Sequence, residues 1–206
     1  METPERPQLY LVSPPAFDLS GFPDMLARVL DAHPVACVRL ALSTHDEDVL
    51  CRAADIVRER THARDVALVI EQHVLLAQRL GLDGVHLTDG ARSVRAARKE
   101  LGDEAIVGAF CSHSRHDGMS AGENGADYVS FGPAEPSNLG DGSYADLDLF
   151  EWWSEVIEVP VVAEGVRDAA RVAELAPHTD FFAFGDALWQ SDNPVAVISA
   201  LINTLG

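Results

Sequence analysis

The stretch DVALVIEQHVLLAQRLGLDGVHL, residues 65–87, decides the fold class. Its two short apolar runs, DVALVI (65–70) and GVHL (84–87), are rich in aliphatic residues and predict strands. Residues 74–80 between them have the spacing of a short helix. A helix that connects two apolar strands predicts a parallel pair, because parallel strands need a crossover connection.

The same unit repeats along the chain. Further strands are predicted at QLYLV (8–12), VACVRL (35–40), AIVGAF (105–110), DYVSF (127–131), PVVA (160–163) and DFFAF (180–184). Helices are predicted at 23–33, 45–60, 92–101, 115–124, 169–175 and 194–205, with another that holds Phe150 and Val156. Eight units at an average of about 26 residues predict a single-domain (β/α)8 TIM barrel, of the α/β class, over residues 1–206. An open doubly wound sheet is the alternative, although the first strand-to-helix turn has no GxGxxG motif.

The charge of the chain restricts its partners. It contains 33 acidic and 15 basic residues, a net charge of −18, and its pI is about 4.6. We therefore expect no nucleic-acid partner and no anionic membrane surface. The chain has no apolar run of the ~18–20 residues that span a bilayer. Three cysteines without CxxC spacing, and no secretory signal at the start, predict a reduced, cytoplasmic protein.

Candidate site residues are those that follow the predicted strands, because chemistry on this fold lies at the C-terminal strand ends. We expect a small-molecule ligand at this mouth. Arg39 and His113 are the candidate catalytic residues. An arginine inside a strand needs an anion, which is either a ligand or a salt-bridge partner, Glu71 or Glu164. The candidate substrate-binding residues are His86, Ser130, Gly132, Pro133, Glu164, Gly165, Gly185, Asp186 and Glu71.

Some alternatives remain open and others are excluded. His86 is also explained by a hydrogen bond inside the barrel. Residues 132–145 have no periodicity and are expected to form a mobile active-site loop. Lys99 is the only lysine and lies on an exposed helical stretch, so Schiff-base chemistry is excluded. His113 and His116 form only a lone HxxH, so no metal site is predicted. The Trp152–Trp153 pair is expected to pack onto the barrel or to form a homo-oligomer interface.

Five motifs are similar to those of the thiamine phosphate synthase family, which includes the thiazole tautomerases. LYLVSP (9–14) resembles the family's LYLVTD, GLDGVHL (81–87) its GADGVHL, and CSHS (111–114) its STHS. GADYVSFGPAEPS (125–137) resembles GADYIGVGPIFPT, and PVVAEG (160–165) resembles PVVAIG. The resemblance implies a barrel that joins a pyrimidine pyrophosphate to thiazole phosphate with magnesium. It also implies that glycine amides at the last two strands hold the thiazole phosphate.

The chain departs from the family where the resemblance places basic, metal-binding and phosphate-binding residues. The resemblance implies magnesium, but the family's Asn-Asp after the third strand falls on Glu71 and Gln72, and its second magnesium aspartate falls on Ala91, so both carboxylate ligands are missing. Val166 replaces a glycine and Asp186 a serine of the phosphate motifs. The positions that depart are Ala41, Glu71, Gln72, Ala91, the vicinity of Gly140, Val166 and Asp186.

These departures leave three hypotheses. The first is a divergent thiamine phosphate synthase-like protein of thiamine metabolism whose synthase activity is impaired. In it Arg39 holds the pyrophosphate side, Gly165 and Gly185 keep part of the phosphate cradle, and His113 assists proton movement. The second is a thiazole tautomerase-type isomerase in which His113 is the acid-base group. The third is a non-catalytic barrel that binds a different small ligand or a protein partner.

Overall fold

Eight parallel strands close into a barrel in the computed structural model, which describes residues 6–136 and 142–205. Each strand pairs with the next in sequence, and β8 pairs with β1. This closing pair confirms the (β/α)8 barrel and excludes the open sheet. In chain order, the strands β1 to β8 are Gln8–Val12, Val35–Leu40, Ala67–Glu71, Gly84–Leu87, Ile106–Phe110, Tyr128–Phe131, Val161–Glu164 and Phe181–Phe184.

Helices lie between consecutive strands and after the last one. In the described part of the chain, α1 to α9 are Phe22–Ala32, Glu47–His62, Val74–Leu80, Val94–Leu101, Arg115–Glu123, Leu147–Val156, Ala169–Leu175, Asp186–Trp189 and Pro194–Ile202. No helix among these residues is long and apolar enough to cross a membrane. The short helix α8 was not predicted from the sequence, because four residues are too few to show helical periodicity.

Both faces of the strands are buried, and they form two separate apolar clusters. The outward faces pack against the helices in the larger cluster. The smaller cluster fills the barrel interior with side chains that include Tyr10, Cys37, Val69, Tyr128 and Val162. This arrangement explains the nearly continuous apolar runs in the sequence, since a strand that is buried on both faces shows no polar alternation.

Five predicted strands, β3 and β5 to β8, differ by one or two residues at their ends from the observed ones, and the differences in β3 and β7 affect the site. β3 begins at Ala67 rather than Asp65, because Asp65 has a φ of +54° and belongs to the turn after α2. At the other end, Glu71 pairs in register with His86. Glu164 likewise belongs to β7, where it pairs in register with Ala183. Both carboxylates are therefore strand residues with a fixed direction rather than loop residues.

An aspartate precedes each of β4, β6 and β8 and holds the start of the preceding strand. Asp83 accepts a hydrogen bond from the backbone N–H of Leu68 at 2.7 Å. Asp127 does the same for Val107 at 2.6 Å, and Asp180 accepts from Val161 at 2.8 Å. These contacts satisfy backbone donors at the N-terminal ends of the strands, opposite the mouth of the barrel.

Gly108 on β5 leaves room for the ring of Tyr128. A Cβ atom on Gly108 would overlap the Tyr128 ring, and one on Gly84 would overlap the backbone of Ile106. With that space free, the Tyr128 hydroxyl reaches across β5 to His86 on β4, where the O–Nδ1 distance is 2.9 Å. Gly108 therefore permits a polar contact in the barrel interior, and Gly84 permits the close approach of β4 to β5.

We expect Gly108→Ala to lower the free energy of unfolding by about 3 kcal/mol, since an extra methyl group in a packed interior costs about 1–3 kcal/mol or more. Denaturant unfolding measures the change. Gly21→Ala is the matched control, because a Cβ there would meet only the Asp18 carboxylate, at 3.5 Å. A loss at Gly108 no larger than that of the control would contradict this account of the interior.

Candidate active site

The polar residues of the mouth follow from the two-residue alternation of the strands. Cys37, Val69, Tyr128 and Val162 point into the barrel interior. The residues two positions further along each strand share that direction and lie nearer the C-terminal end. They form the polar layer above the interior apolar cluster: Arg39, Glu71, Ser130 and Glu164.

Arg39 and Glu164 form a bidentate ion pair in this layer. The guanidinium donates from Nη1 to Oε1 at 2.8 Å and from Nη2 to Oε2 at 3.0 Å. Only 6% of Arg39 is exposed. Burial raises the pKa of Glu164, but the charge and hydrogen bonds of Arg39 outweigh it and lower the pKa to about 2. Both partners are therefore charged at neutral pH, and the salt-bridge interpretation of Arg39 is confirmed.

Glu71 lies on the other side of the Arg39 guanidinium. Its Oε2 atom is 3.6 Å from Arg39 Nε. Burial raises the pKa of Glu71, the charge of Arg39 opposes that shift, and the charge of Glu164 adds to it. Two carboxylates thus share one guanidinium, and Glu164 has the shorter contacts.

A chain of buried hydrogen bonds lies beneath the ion pair. The hydroxyl groups of Tyr10 and Tyr128 are 2.7 Å apart, and Tyr128 also bonds to His86 Nδ1. Burial, with the nearby charge of Arg39, lowers the pKa of His86 to about 3. His86 is therefore a neutral imidazole, and the prediction that it forms a hydrogen bond inside the barrel is confirmed.

Three buried polar atoms around Glu164 have no hydrogen-bond partner among the described residues. They are Arg39 Nε, His86 Nε2 and Ser130 Oγ. His86 Nε2 lies 3.8 Å from Glu164 Oε1. The Ser130 hydroxyl faces the same carboxylate and helps to lower its pKa, although it falls outside hydrogen-bond geometry. His86 and Ser130 support the charged form of Glu164, whereas Arg39 Nε lies 3.6 Å from Glu71 Oε2.

A cavity of about 640 Å³ opens above the ion pair. It brings together five of the predicted site residues: Arg39, Glu164, Gly165, Gly185 and Asp186. Much of the remaining wall is apolar and comes from β1, β8, α8 and α9: Val12, Ala183, Phe184, Leu188, Val197 and Leu201. The remaining predicted residues do not line this cavity: Glu71, His86, His113, Ser130, Gly132 and Pro133.

Gly132, Pro133 and Gly165 bring the ends of β6 and β7 close together. A Cβ atom on Gly132 would lie 2.9 Å from both the Cβ and the carbonyl oxygen of Glu164. Gly165 has a φ of +80°, and a Cβ there would lie 3.3 Å from Pro133. These residues therefore set the position of Glu164 by backbone contact.

The outer rim of the cavity carries one carboxylate and one guanidinium. Asp186 is exposed, and its Oδ2 accepts a hydrogen bond from Gln190 Nε2 at 2.8 Å. Arg167 lines the same rim. The sequence analysis missed Arg167, although its position two residues after Gly165 at the end of β7 was an available signal. Val166 is buried beside it and fills the place of the family's second glycine.

His113 lies outside this cavity, on the exposed surface just before α5. Its Nδ1 atom is 3.1 Å from Ser112 Oγ. Neighbouring residues, among them Cys111, Ser112 and His116, line a separate cleft of about 600 Å³. Burial raises the pKa of Cys111 to about 12, so its thiol is not an activated nucleophile.

The residues at the implied magnesium positions do not fit that ion. Glu71 faces Arg39, the amide of Gln72 bonds to Thr88, and Ala91 has no ligating atom. Asp89, in the same turn as Ala91, accepts a hydrogen bond from Ser93 at 2.6 Å. Within residues 6–136 and 142–205, no group of three or more ligating side chains is placed to hold a metal. Gly140, near the position of the family's loop lysine, lies outside the described residues.

The ion pair predicts a specific acid sensitivity. The pKa of Glu164 is about 2 in the folded protein, compared with 4.5 for an unperturbed glutamate. A carboxyl whose pKa is lowered by folding contributes stability above its unfolded pKa and loses it as the pH falls toward the folded pKa. At about 1.4 kcal/mol per pKa unit, the contribution is about 3 kcal/mol. Unfolding in denaturant between pH 7 and pH 2 should show Glu164→Gln less stable at pH 7 by about this amount. The difference in unfolding free energy between the wild type and Glu164→Gln should shrink as the pH falls from 4.5 toward 2. The exposed control Glu155→Gln should show no such difference at any pH.

A double-mutant cycle tests the coupling of the pair. Arg39→Met and Glu164→Leu should each cost about 3–5 kcal/mol, because each leaves one buried charge without its bidentate partner. The double variant should cost no more than the worse single variant. Equilibrium unfolding at neutral pH gives all four values. Additive losses would show that the two side chains contribute independently.

Comparisons with known proteins place this geometry in a family. The structure resembles thiamine phosphate pyrophosphorylase from Pyrococcus furiosus with a TM-score of 0.78 at 20% identity, over 97% of both chains. A thiamine-phosphate synthase of Rhodospirillum centenum is 40% identical over 93% of this chain and 94% of its own length. One from Erythrobacter litoralis is 39% identical over 95% and 94%. The family model described as thiamine monophosphate synthase matches residues 9–188. The chain therefore belongs to the thiamine monophosphate synthase family.

Proposed function

We propose that this protein acts in thiamine metabolism as a divergent thiamine phosphate synthase-like protein whose synthase reaction is weak. Relatives that carry the synthase name match nearly the whole chain. The family reaction joins a pyrimidine pyrophosphate to thiazole phosphate and releases pyrophosphate. The mouth cavity is the place where such small molecules would bind.

The observation that carries this proposal is the bidentate pair between Arg39 and Glu164. Arg39 is the residue that the family resemblance assigns to the pyrophosphate side. Glu164 stands where the family motif PVVAIG has isoleucine, so the guanidinium of this chain already holds an anion. A diphosphate that displaced Glu164 would leave a buried, unpaired carboxylate.

The cost of that displacement is large enough to weaken the reaction. Removing one partner of a buried ion pair costs about 3–5 kcal/mol. At about 1.4 kcal/mol per decade, this is a loss of about two to four decades in affinity. The residues at the magnesium positions do not compensate for it, so we derive no catalytic step through a metal.

The tautomerase hypothesis stays a prediction. The exposed side chain of His113 lies outside the cavity that holds Arg39 and Glu164. No contact of the described residues favours an isomerase over the synthase-like function, and none identifies a protein partner.

Turnover of the two family substrates with magnesium tests the proposed function. We expect kcat/KM at least about a hundredfold below that of the Rhodospirillum centenum relative, assayed side by side, because the buried pair has to be broken. Glu164→Gln keeps the shape and removes the charge, so inorganic pyrophosphate should bind it at least about tenfold more tightly than the wild type. Calorimetry measures that affinity.

The control for this experiment is Glu155→Gln, which makes the same chemical change on the exposed face of α6. It should leave pyrophosphate binding unchanged. Wild-type turnover equal to that of the relative would contradict the proposed function. Equal pyrophosphate affinity in the wild type and Glu164→Gln would show that the occupied guanidinium is not the obstacle.

A further inference from the structure

We propose that His86 is a positioning residue that selects Glu164, rather than Glu71, as the bidentate partner of Arg39. It does so as the imidazole tautomer that carries its hydrogen on Nε2, with this N–H directed at the Glu164 carboxylate. The tautomer assignment rests on the contacts of the barrel interior. Its consequence for a diphosphate rests on the proposed function, in which the pair between Arg39 and Glu164 is the obstacle.

The two ring nitrogens of His86 have different surroundings. Nδ1 lies 2.9 Å from the Tyr128 hydroxyl, whereas Nε2 has no hydrogen-bond partner among the described residues. Nε2 lies 3.8 Å from Glu164 Oε1. A neutral imidazole has one N–H donor and one acceptor nitrogen. The group that each nitrogen faces therefore decides which of them carries the hydrogen.

The charge of Glu164 favours the hydrogen on Nε2. Glu164 is ionised, because Arg39 lowers the pKa of its carboxyl to about 2. An N–H on Nε2 attracts this carboxylate, although 3.8 Å is too long for a hydrogen bond. In the other tautomer the lone pair of Nε2 would face the same anion, which is unfavourable. His86 is fully buried, so little water screens either interaction.

The interior tyrosines complete this tautomer. With its hydrogen on Nε2, His86 accepts at Nδ1 from the Tyr128 hydroxyl. Tyr128 then accepts from Tyr10, whose hydroxyl is 2.7 Å away. Burial raises the pKa of both tyrosines, so both keep their hydrogens. All donors of the chain are therefore directed one way, from Tyr10 toward Glu164.

The two carboxylates beside Arg39 differ in the donors that face them. Glu164 faces His86 Nε2 and the Ser130 hydroxyl in addition to the guanidinium. Glu71 is 30% exposed, and within the described part of the chain its ion pair is the 3.6 Å contact with Arg39 Nε. An N–H directed at Glu164 offsets part of the cost of burying that carboxylate. His86 thus shifts the preference of Arg39 toward Glu164.

NMR spectroscopy of the 15N-labelled wild-type chain tests the tautomer without any substitution. Long-range 1H–15N correlation spectra distinguish a protonated ring nitrogen from an unprotonated one, and the His86 signals are identified by their loss in His86→Gln. We expect hydrogen on Nε2 and none on Nδ1 at neutral pH. Hydrogen on Nδ1 would overturn this inference and leave the proposed function standing.

Two substitutions separate the roles of the ring nitrogens. His86→Gln can place an amide N–H near the position of Nε2 but loses the contact with Tyr128. His86→Asn can keep an acceptor for Tyr128 but has no group at the position of Nε2. We expect Arg39 to move toward Glu71 only in His86→Asn, so that its Nε–H resonance shifts and exchanges with water more slowly. The same change in His86→Gln alone would overturn the selection by Nε2.

Calorimetry with inorganic pyrophosphate connects the inference to the proposed function. His86→Asn should bind pyrophosphate at least about threefold more tightly than the wild type, because Glu164 is held less firmly on Arg39. His86→Gln should show a clearly smaller change. His62→Asn is the control, since it makes the same substitution at the exposed end of α2, opposite the mouth, and should leave the affinity unchanged.

The outcomes of this titration separate the two proposals. Unchanged affinity in His86→Asn, together with tighter binding by Glu164→Gln, would overturn the positioning role of His86. Unchanged affinity in both variants would overturn the obstacle on which the proposed function depends, while the NMR spectra would still decide the tautomer.

Discussion

The buried charge of Arg39 is the constraint on which the mouth of this barrel depends. A guanidinium that is 6% exposed has to be compensated by a carboxylate in good geometry. Glu164 provides it, and Gly132 and Gly165 allow the backbone of β6 and β7 to approach closely enough to place it. His86 is neutral because burial disfavours its protonated form, and the charge of Arg39 beside it adds to that effect.

The ion pair also changes the meaning of the acidic composition. The net charge of −18 and the carboxylates at the strand ends suggest a mouth that repels phosphate by charge alone. In the structure, the charge of Glu164 is balanced by Arg39, and Asp186 shares its rim with Arg167. The proposed obstacle to a diphosphate is therefore the occupied guanidinium more than a negative field. This distinction matters because salt screens a field but not a short, buried contact.

Sequence reasoning predicted the barrel because strand and helix periodicities are local properties. The position of each strand depends on its own apolar run, and the closed order follows from eight such units. The contact between Tyr128 and His86 could not be predicted, because it depends on the space that Gly108 leaves on a third strand. For the same reason, the sequence offered both Glu71 and Glu164 as partners of Arg39. Only the packed barrel shows that Glu164 has the bidentate contact.

The location of Glu164 explains how a family barrel can hold a buried carboxylate at its mouth without changing its fold. It is the last residue of β7, above the apolar interior and below the open cavity. A carboxylate two residues earlier on β7, at Val162, would point into the apolar barrel interior. It would have no compensating guanidinium at that level among the described residues. A carboxylate further out would be solvated and would leave Arg39 with only the longer contact to Glu71. The end of the strand is thus the one level at which this substitution both satisfies Arg39 and reshapes the site.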